Sequence, residues 1–545
     1  MEKVSGQIVD VVAGRIFPGE VSFENGRITS VRELKEAPPV WILPGFVDAH
    51  VHIESSMLVP SEFARVAVRH GTVGTVSDPH EIANVLGLEG VRYMVDNGRT
   101  VPFHFYFGAP SCVPATAFET AGAKIDATGI AELFRSKAAS YLSEMMNYPG
   151  VIQRHPEVME KIQIAHQFSK PVDGHAPQVR GTNLDAYISA GITTDHECVT
   201  LEEGREKIRK GMKVLIREGS AAKNYAALIS LLKEAPDKVM FCTDDMPDGL
   251  EEGHINLLVS RAIREGYSPI DAIRAATLNP VRHYGLNTGL LQAGDPATFI
   301  VMSNLEKGQV IATYIDGRKV AENGLCLFEG PKVECINAFH CRPIALSDLE
   351  IPAKKEWVRV IEAIDGELIT REGLYKPKIV EDKVVSDPDR DLLKLVVVNR
   401  YKSVKPAVAL IKNFGLKRGA IAESVAHDSH NVIAVGASDA ELLLAINRVI
   451  EAKGGIAVAD GKSVDILELP VAGLMSDQES QQVSQKTKAL GVKAKALGCQ
   501  LKAPFVTLSF MALLVIPELK LSDLGLFDGR KFTFTSLFTA ERNGA

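Results

Sequence analysis

Two histidines spaced one residue apart are the first feature of this chain that could do chemistry. His50 and His52 follow an apolar run at 40–43 and a Pro44-Gly45 breaker. Side chains alternate along a strand, so both imidazoles are predicted to face the same side. Such a pair can hold a divalent metal but does not complete its coordination. The alternative, two buried histidines with only structural hydrogen bonds, is disfavoured by this spacing directly after Pro-Gly.

Three more residues of metal-ligand type stand where an apolar run gives way to a loop. They are His175, His196 and Asp244. In a (β/α)8 barrel the ends of all eight strands open onto one face, where active sites are built. The pattern therefore predicts a metal site made from four imidazoles and one carboxylate.

The elements that must position these residues follow from the patterning. Residues 44–287 alternate strand-like and helix-like segments, which predicts a (β/α)8 TIM barrel with strands near 74–77, 103–108 and 139–144. Residues 1–43 and 288–345 contain short strands, with turns at Ala13-Gly14 and Asn25-Gly26 in the first segment, and are predicted to form one small composite β-sandwich domain. Residues 346–545 are predicted to form an α+β C-terminal domain.

The sequence also predicts five helices. Residues 61–70 are predicted to form a helix with Ser61 as its N-cap, and residues 480–497 a helix with Ser480 as N-cap. Further helices are predicted at 255–265, 269–278 and 439–453, the last ended by Gly454-Gly455.

Composition restricts the class of protein. The 545 residues are 46% hydrophobic and 24% charged, with a formal net charge of −7, which gives no basic footprint for nucleic acid. The chain opens directly into a strand-like segment, and no apolar run approaches the roughly 20 residues needed to span a bilayer. Seven cysteines without a CxxC pair favour reduced thiols. A cytoplasmic protein without membrane or nucleic-acid partners is expected.

Longer motifs carry a family resemblance. The Pro-Gly-x-x-Asp-x-His-x-His strand, the two later histidines and the late Asp resemble the amidohydrolase superfamily. The longer segments resemble bacterial and archaeal adenine deaminases over nearly the whole chain; they lie at 50–58, 78–85, 110–116, 144–147, 195–198, 242–245, 427–431, 472–477 and 516–521. The resemblance implies hydrolytic deamination of free adenine to hypoxanthine and ammonia in purine salvage, by a metal-activated hydroxide.

The resemblance also implies a metal pair. Many superfamily members bridge two metals with a carboxylated lysine, but the fourth predicted strand has Glu144 there, as adenine deaminases do. His50, His52 and Asp244 are then expected to hold one metal and His175 and His196 the other, with Glu144 as the bridge. Imidazole and carboxylate ligands suit Mn, Fe or Zn, and the family favours Mn or Fe.

Two catalytic roles are expected on the same basis. Asp244 is predicted to shuttle the proton from the attacking water to the leaving amine, with Asp245 as the rival for this role. A second group should stabilise charge on the ring nitrogens. The candidates are Glu54, expected on the strand face of His52, and also His80, Glu81 and Glu197. His80 fits equally well as a residue that orients a metal ligand.

Several alternatives stay open at this stage. The chain could instead cleave a cyclic amide, as dihydropyrimidinases and hydantoinases do, or serve as a non-catalytic barrel scaffold. His427 and His430 are expected to have a structural or lid role rather than to form a metal site, because the pair fits a loop that hydrogen-bonds its own turn through Asp428 and Ser429, and the strand-and-helix pattern gives no further ligand there. A homo-oligomer is plausible.

Overall fold

A computed structural model describes residues 1–219, 223–246, 249–354 and 356–540. The contacts divide the chain into two compact units. The barrel unit comprises residues 1–80, 91–112 and 125–332, and the C-terminal unit comprises residues 81–90, 113–124 and 333–545. Within the described residues, no helix is both long and apolar enough to cross a membrane.

The barrel unit begins with four strands. They are β1 (Glu2–Asp10), β2 (Arg15–Glu24), β3 (Arg27–Glu33) and β4 (Trp41–Pro44). The turn between β2 and β3 places Asn25 at φ 51° and Gly26 at φ 78°, as the Asn-Gly sequence predicts.

Eight parallel strands then follow in chain order. They are β5 (Phe46–Val51), β6 (Thr72–Ser77), β7 (His104–Ala109), β8 (Tyr141–Met145), β9 (Val172–Gly174), β10 (Thr194–Asp195), β11 (Lys213–Arg217) and β12 (Val239–Cys242). β5 to β9 form one parallel sheet and β10 to β12 another. A parallel bridge between Val51 and Asp244 joins the end of β12 to β5. The predicted TIM-barrel-like α/β arrangement is confirmed.

Helices connect these strands. They are α1 (Pro60–Ala67), α2 (His80–Gly98), α3 (Ala127–Arg135), α4 (Tyr148–Ile152), α5 (Pro156–Gln167), α6 (Gly181–Ser189), α7 (Leu201–Arg209), α8 (Tyr225–Leu228), α9 (Leu231–Glu234), α10 (Ile255–Arg264), α11 (Pro269–Ala275) and α12 (Leu278–Tyr284). The prediction that Ser61 caps α1 was wrong. Val59 is the N-cap, because Pro60 takes the first helical position, where its missing N–H is not needed.

Four more strands return to the first sheet. They are β13 (Phe299–Asn304), β14 (Gln309–Ile315), β15 (Arg318–Glu322) and β16 (Leu325–Cys326). β13 pairs with β4, so one sheet has the order β16-β15-β14-β13-β4-β1-β2-β3. Its buried face includes Phe17, Phe23, Phe299 and Tyr314. Both sequence segments that flank the barrel therefore contribute strands to the same sheet.

The C-terminal unit is built on mainly antiparallel sheets, one of nine strands and two of three strands. Its strands are β17 (Ile351–Pro352), β18 (Trp357–Ala363), β19 (Thr370–Tyr375), β20 (Lys378–Val380), β21 (Lys383–Val385), β22 (Leu393–Val398), β23 (Ala407–Lys412), β24 (Ala420–Glu423), β25 (Val432–Gly436), β26 (Gly455–Asp460), β27 (Ser463–Glu468), β28 (Leu519–Ser522), β29 (Gly525–Asp528), β30 (Thr533–Phe534) and β31 (Phe538–Thr539). The largest sheet runs β19-β18-β23-β22-β25-β24-β26-β27, with β31 beside β18.

Three helices belong to this unit: α13 (Asp439–Glu451), α14 (Ser480–Ala496) and α15 (Pro504–Ser509). α13 packs its apolar side on the sheet and is capped by Ser438, whose hydroxyl accepts from the Glu441 N–H. The prediction that Ser480 caps α14 was wrong, because Ser480 is the first helical residue and Glu479 is the N-cap.

Candidate metal centre

The end of β5 brings the first two histidines together. The rings of His50 and His52 lie 4.8 Å apart between centroids, and both are buried. The predicted common face is therefore observed. The expectation that Glu54 shares this face was wrong, because β5 ends at Val51 and residues 53–56 form a short 3-10 helix. Glu54 is nevertheless buried.

Glu144, in β8, lies close to three of the four imidazoles. Its Oε1 lies 3.3 Å from Nε2 of His52, whereas its Oε2 lies 2.7 Å from Nδ1 of His175 and 3.2 Å from Nε2 of His196. The ring of His196 also stacks on that of His50, with centroids 4.1 Å apart. One buried carboxylate thus contacts members of both predicted metal-ligand sets.

Asp244 lies directly after β12 and faces the His50 and His52 pair. Its Oδ1 is 3.2 Å from Nε2 of His52 and 3.6 Å from Nε2 of His50. Asp244 adopts a φ of 60°, a left-handed conformation that costs a non-glycine residue energy and is concentrated at functional sites. Thr243, just before it, donates its backbone N–H to Asp48 in β5, which fixes the end of β12. Asp245 also lies near His52 and Asp244.

The donor set fits divalent metal ions. The ligand atoms of His50, His196 and Asp244 lie within 4.8 Å of one another. The same holds for the ligand atoms of Glu144, His175 and His196. Neither ring nitrogen of His50 makes a hydrogen bond with any described residue, although the ring is 1% exposed. Buried polar atoms without partners are costly, and buried imidazoles and carboxylates that converge in this way are typical metal ligands.

His80 and Asp78 lie beside this group. Nδ1 of His80 is 3.5 Å from Oε1 of Glu144 and 3.3 Å from Oδ2 of Asp78. The Asp78 carbonyl is hydrogen-bonded to Nδ1 of His52 at 3.1 Å. Asp78 therefore has the position of a residue that orients a ligand, a role the sequence did not suggest. His80 touches Glu144, which is compatible with either of its two predicted roles.

Glu81 has different surroundings from His80, although the two are adjacent in sequence. It belongs to the C-terminal unit, where its Oε1 lies 2.9 Å from Nδ1 of His427 and its other oxygen contacts Nε2 of His430. Burial acts to raise the pKa of Glu81, but the two imidazoles hold it well below its usual range.

A guanidinium group missed by the sequence reasoning lies in the barrel centre. Arg217, at the end of β11, contacts Asp244 and lies 2.5 Å from Oε1 of Glu197. Glu197 Oε1 is also 3.3 Å from Nε2 of His196. Burial opposes ionisation of Glu197, but Arg217 holds the pKa of its carboxyl well below the usual range. An Arg that follows the apolar residues 214–216 was the available signal.

A buried lysine ties together the loops that carry His175 and His196. Nζ of Lys207 donates to the carbonyl of Ala176 at 2.7 Å and lies 3.0 Å from Oδ2 of Asp195. The other oxygen of Asp195 accepts the N–H of Ala176 at 2.8 Å. Lys207 also pairs with Glu203 at 2.8 Å. The residues next to both histidines are thus held by one network.

Comparison with known proteins agrees with this geometry. The sequence model of the amidohydrolase family matches residues 41–320, and that of the adenine deaminase C-terminal domain matches residues 367–533. The chain is 53% identical to an adenine deaminase of Salinibacter ruber, over 98% of each protein. It is 51% identical to adenine deaminases of Methanosarcina mazei, over 99% of this chain and 100% of that one, and of Parabacteroides distasonis, over 98% of each.

Proposed function

This chain belongs to the amidohydrolase family and, within it, to the adenine deaminases, and on that premise we propose that it hydrolyses free adenine to hypoxanthine and ammonia. The observation that carries the proposal is the identity of about half of all residues over nearly the whole length. The buried imidazole and carboxylate cluster supports it, because all six predicted metal-ligand residues converge there.

Two metal ions are proposed for the barrel centre. His50, His52 and Asp244 would hold one, His175 and His196 the other, and Glu144 would bridge them. Bound divalent ions lower the pKa of water from about 16 to about 7 and so supply a nucleophile at neutral pH. We propose Mn or Fe as the native metal, with Zn as an alternative, because all three accept these donors.

Asp244 is the proposed proton carrier. As water adds to C6 of the ring, Asp244 accepts a proton from it, and the carboxyl then returns that proton to the amino group, which leaves as ammonia when the C6–N bond breaks. Arg217 and the tie between Asp48 and Thr243 hold Asp244 in place for both transfers. Asp245 takes no part in either proton transfer.

The group that contacts the ring is proposed to come from Glu54, His80, Glu81 and Glu197. Each is buried, so each could act on substrate away from bulk water. His80 carries an N–H that can be donated to a ring nitrogen, whereas Glu197, paired with Arg217, is a carboxylate that would accept an N–H from the base.

The domain boundaries and the cellular role are also proposals. We propose a composite β-sandwich domain at 1–43 and 288–345, a barrel at 44–287 and an α+β domain at 346–545. We also propose that the enzyme acts in cytoplasmic purine salvage as a homo-oligomer, on a small substrate and without nucleic-acid or membrane partners.

The test is ammonia release from a panel of free bases, nucleosides and cyclic amides, on protein whose metal content has been assayed. Adenine should be turned over and adenosine should be a much poorer substrate. Equal turnover of adenosine would contradict the free-base specificity. Turnover of dihydropyrimidines or hydantoins alone would favour the cyclic-amide alternative, although the chain has Glu144 where those enzymes typically have a lysine.

A further inference from the structure

The C-terminal unit buries a second group of imidazoles and carboxylates, here called the C-terminal cluster: Glu81, His427, Asp428 and His430. Nδ1 of His427 lies 2.9 Å from Oε1 of Glu81 and 3.7 Å from Oδ1 of Asp428. Nε2 of His430 contacts the other oxygen of Glu81. None of the four is more than 7% exposed. Glu81, which is distant from the two histidines in sequence, thus adds a carboxylate to the one that Asp428 supplies between them.

We propose that Glu81, His427 and His430, with Asp428 as a fourth donor, bind one divalent first-row transition metal ion in addition to those of the barrel centre. Two imidazoles and carboxylate oxygens are donors that Mn, Fe and Zn accept. The separations between donor atoms resemble those in the barrel centre, where imidazole nitrogens lie 2.7 to 3.6 Å from carboxylate oxygens.

Unsatisfied polar atoms support the site independently. Neither ring nitrogen of His430, a side chain with no exposed surface, makes a hydrogen bond with any described residue, and Nε2 is the nitrogen that faces Glu81. Oδ2 of Asp428, on a residue that is 4% exposed, also makes none in the described part of the chain. Buried groups of this kind are costly unless they are paired or coordinate a metal.

The histidines are held in a fixed loop. His430 has a φ of 55°, and its backbone N–H donates to the Ala426 carbonyl at 2.6 Å while its own carbonyl accepts from Arg400 at 3.3 Å. The ring of His427 stacks on Phe510 at 4.6 Å between centroids, which fixes its plane. A strained, well-supported ligand loop is the expected arrangement for a preorganised site.

The experiment counts metal in the full-length protein, with Mn²⁺ as the probe. Protein loaded with Mn²⁺ and freed of excess metal by gel filtration is analysed by elemental mass spectrometry. The wild type should hold three equivalents, since two are proposed for the barrel centre. His430→Ala should hold one equivalent fewer than the wild type, whereas His50→Ala should lose metal from the barrel centre and keep the C-terminal ion.

Two further variants keep the test decisive. His430→Gln retains a side chain of similar length that still donates a hydrogen bond, so it guards against misfolding of the alanine variant, and it should also lose one equivalent. His340→Ala removes an exposed histidine of the same unit and should keep three. Two equivalents in the wild type, or a wild-type count in a folded His430 variant, would overturn the proposal. The count does not depend on turnover, so it is separate from the test of deamination.

Discussion

In the barrel unit four imidazoles surround the carboxylates of Glu144 and Asp244, whereas in the C-terminal unit two imidazoles converge on Glu81, with Asp428 beside them. The barrel centre draws its residues from the ends of separate parallel strands, so its donors are spread widely enough for two metal ions. The C-terminal cluster takes three of its four donors, His427, Asp428 and His430, from one loop, and one ion is proposed there. The two regions thus differ in how many chain segments supply the donors.

Individual buried basic side chains of the two units also have different surroundings. In the barrel unit, Arg217 and Lys207 pair with carboxylates that stand next to metal-ligand residues or are themselves such residues. In the C-terminal unit, Nζ of the fully buried Lys520 donates to the carbonyls of Leu368 and Phe510 and forms no ion pair within the described residues. Arg217 and Lys207 thus lie beside the barrel centre, whereas Lys520 contributes only hydrogen bonds to the fold of its unit.

The largest effect should come from removing the proton carrier. Asp244→Asn can still offer an oxygen to a metal but cannot accept and return a proton. Since such steps contribute about 10²–10⁴-fold, kcat should fall by that factor with most metal retained and KM little changed. Steady-state kinetics with a metal assay will measure this.

Asp245→Asn is the matched control, because it makes the same chemical change one residue later. Its kcat should fall far less. An inactive Asp245→Asn beside an active Asp244→Asn would show that the shuttle was assigned one residue too early.

The next largest effect should come from replacing the proposed bridging carboxylate of the barrel centre. Glu144→Gln should weaken metal binding in the barrel centre by more than 10-fold, because a neutral amide cannot offset two dications. The C-terminal cluster should keep its ion. Elemental analysis during dialysis against a chelator will separate the two losses, and a fully loaded, active Glu144→Gln enzyme would refute the bridge.

A smaller effect is expected from the lysine network. Lys207→Met removes the tie between Ala176 and Asp195 and should weaken metal binding about 10-fold, first at His175 and His196. The lost charge also leaves buried carboxylates unpaired, which destabilises a protein by about 3–5 kcal/mol. The double variant Lys207→Met, Asp195→Asn relieves part of that charge, so metal loss that persists in it would report positioning rather than unfolding.

The smallest effect should be on stability and should be confined to the C-terminal unit. Burial lowers the pKa of Lys520 from 10.5 to about 7. Between these values the unfolded chain binds more protons than the folded one, so the free energy of unfolding should rise with pH, by about 1–3 kcal/mol from pH 7 to 9. Lys520→Met should flatten this rise in urea denaturation, and a slope unchanged by the substitution would contradict the assignment.

Much of the barrel centre was visible in the sequence because strand periodicity is local. His50 and His52 are two residues apart on one strand, and His175, His196 and Asp244 each follow an apolar run. Strand ends in a parallel barrel meet at one face whatever their spacing, so convergence could be predicted from order alone. Glu144 depended on the family resemblance, since a glutamate near a strand end has no distinctive pattern of its own.

Other features depended on contacts that sequence order does not encode. In the sequence, Arg217 is only a polar residue at the end of an apolar run. Its contacts with Glu197 and Asp244 are seen only in the folded chain. Glu54 left the face of β5 because the chain turns into a 3-10 helix after His52. Both outcomes were decided by side-chain packing at the strand ends, where periodicity no longer applies.

The sequence by itself determined the parallel barrel, the imidazole pair on its first strand and the family, since each is written in local spacing or in long motifs. Only the tertiary structure decided which carboxylate contacts which imidazoles. Glu81 is adjacent to His80 yet contacts His427 and His430, whereas His80 contacts Glu144. The physical reason is that ligand sets form between segments distant in sequence, and which segments meet is decided by the packing of the whole chain.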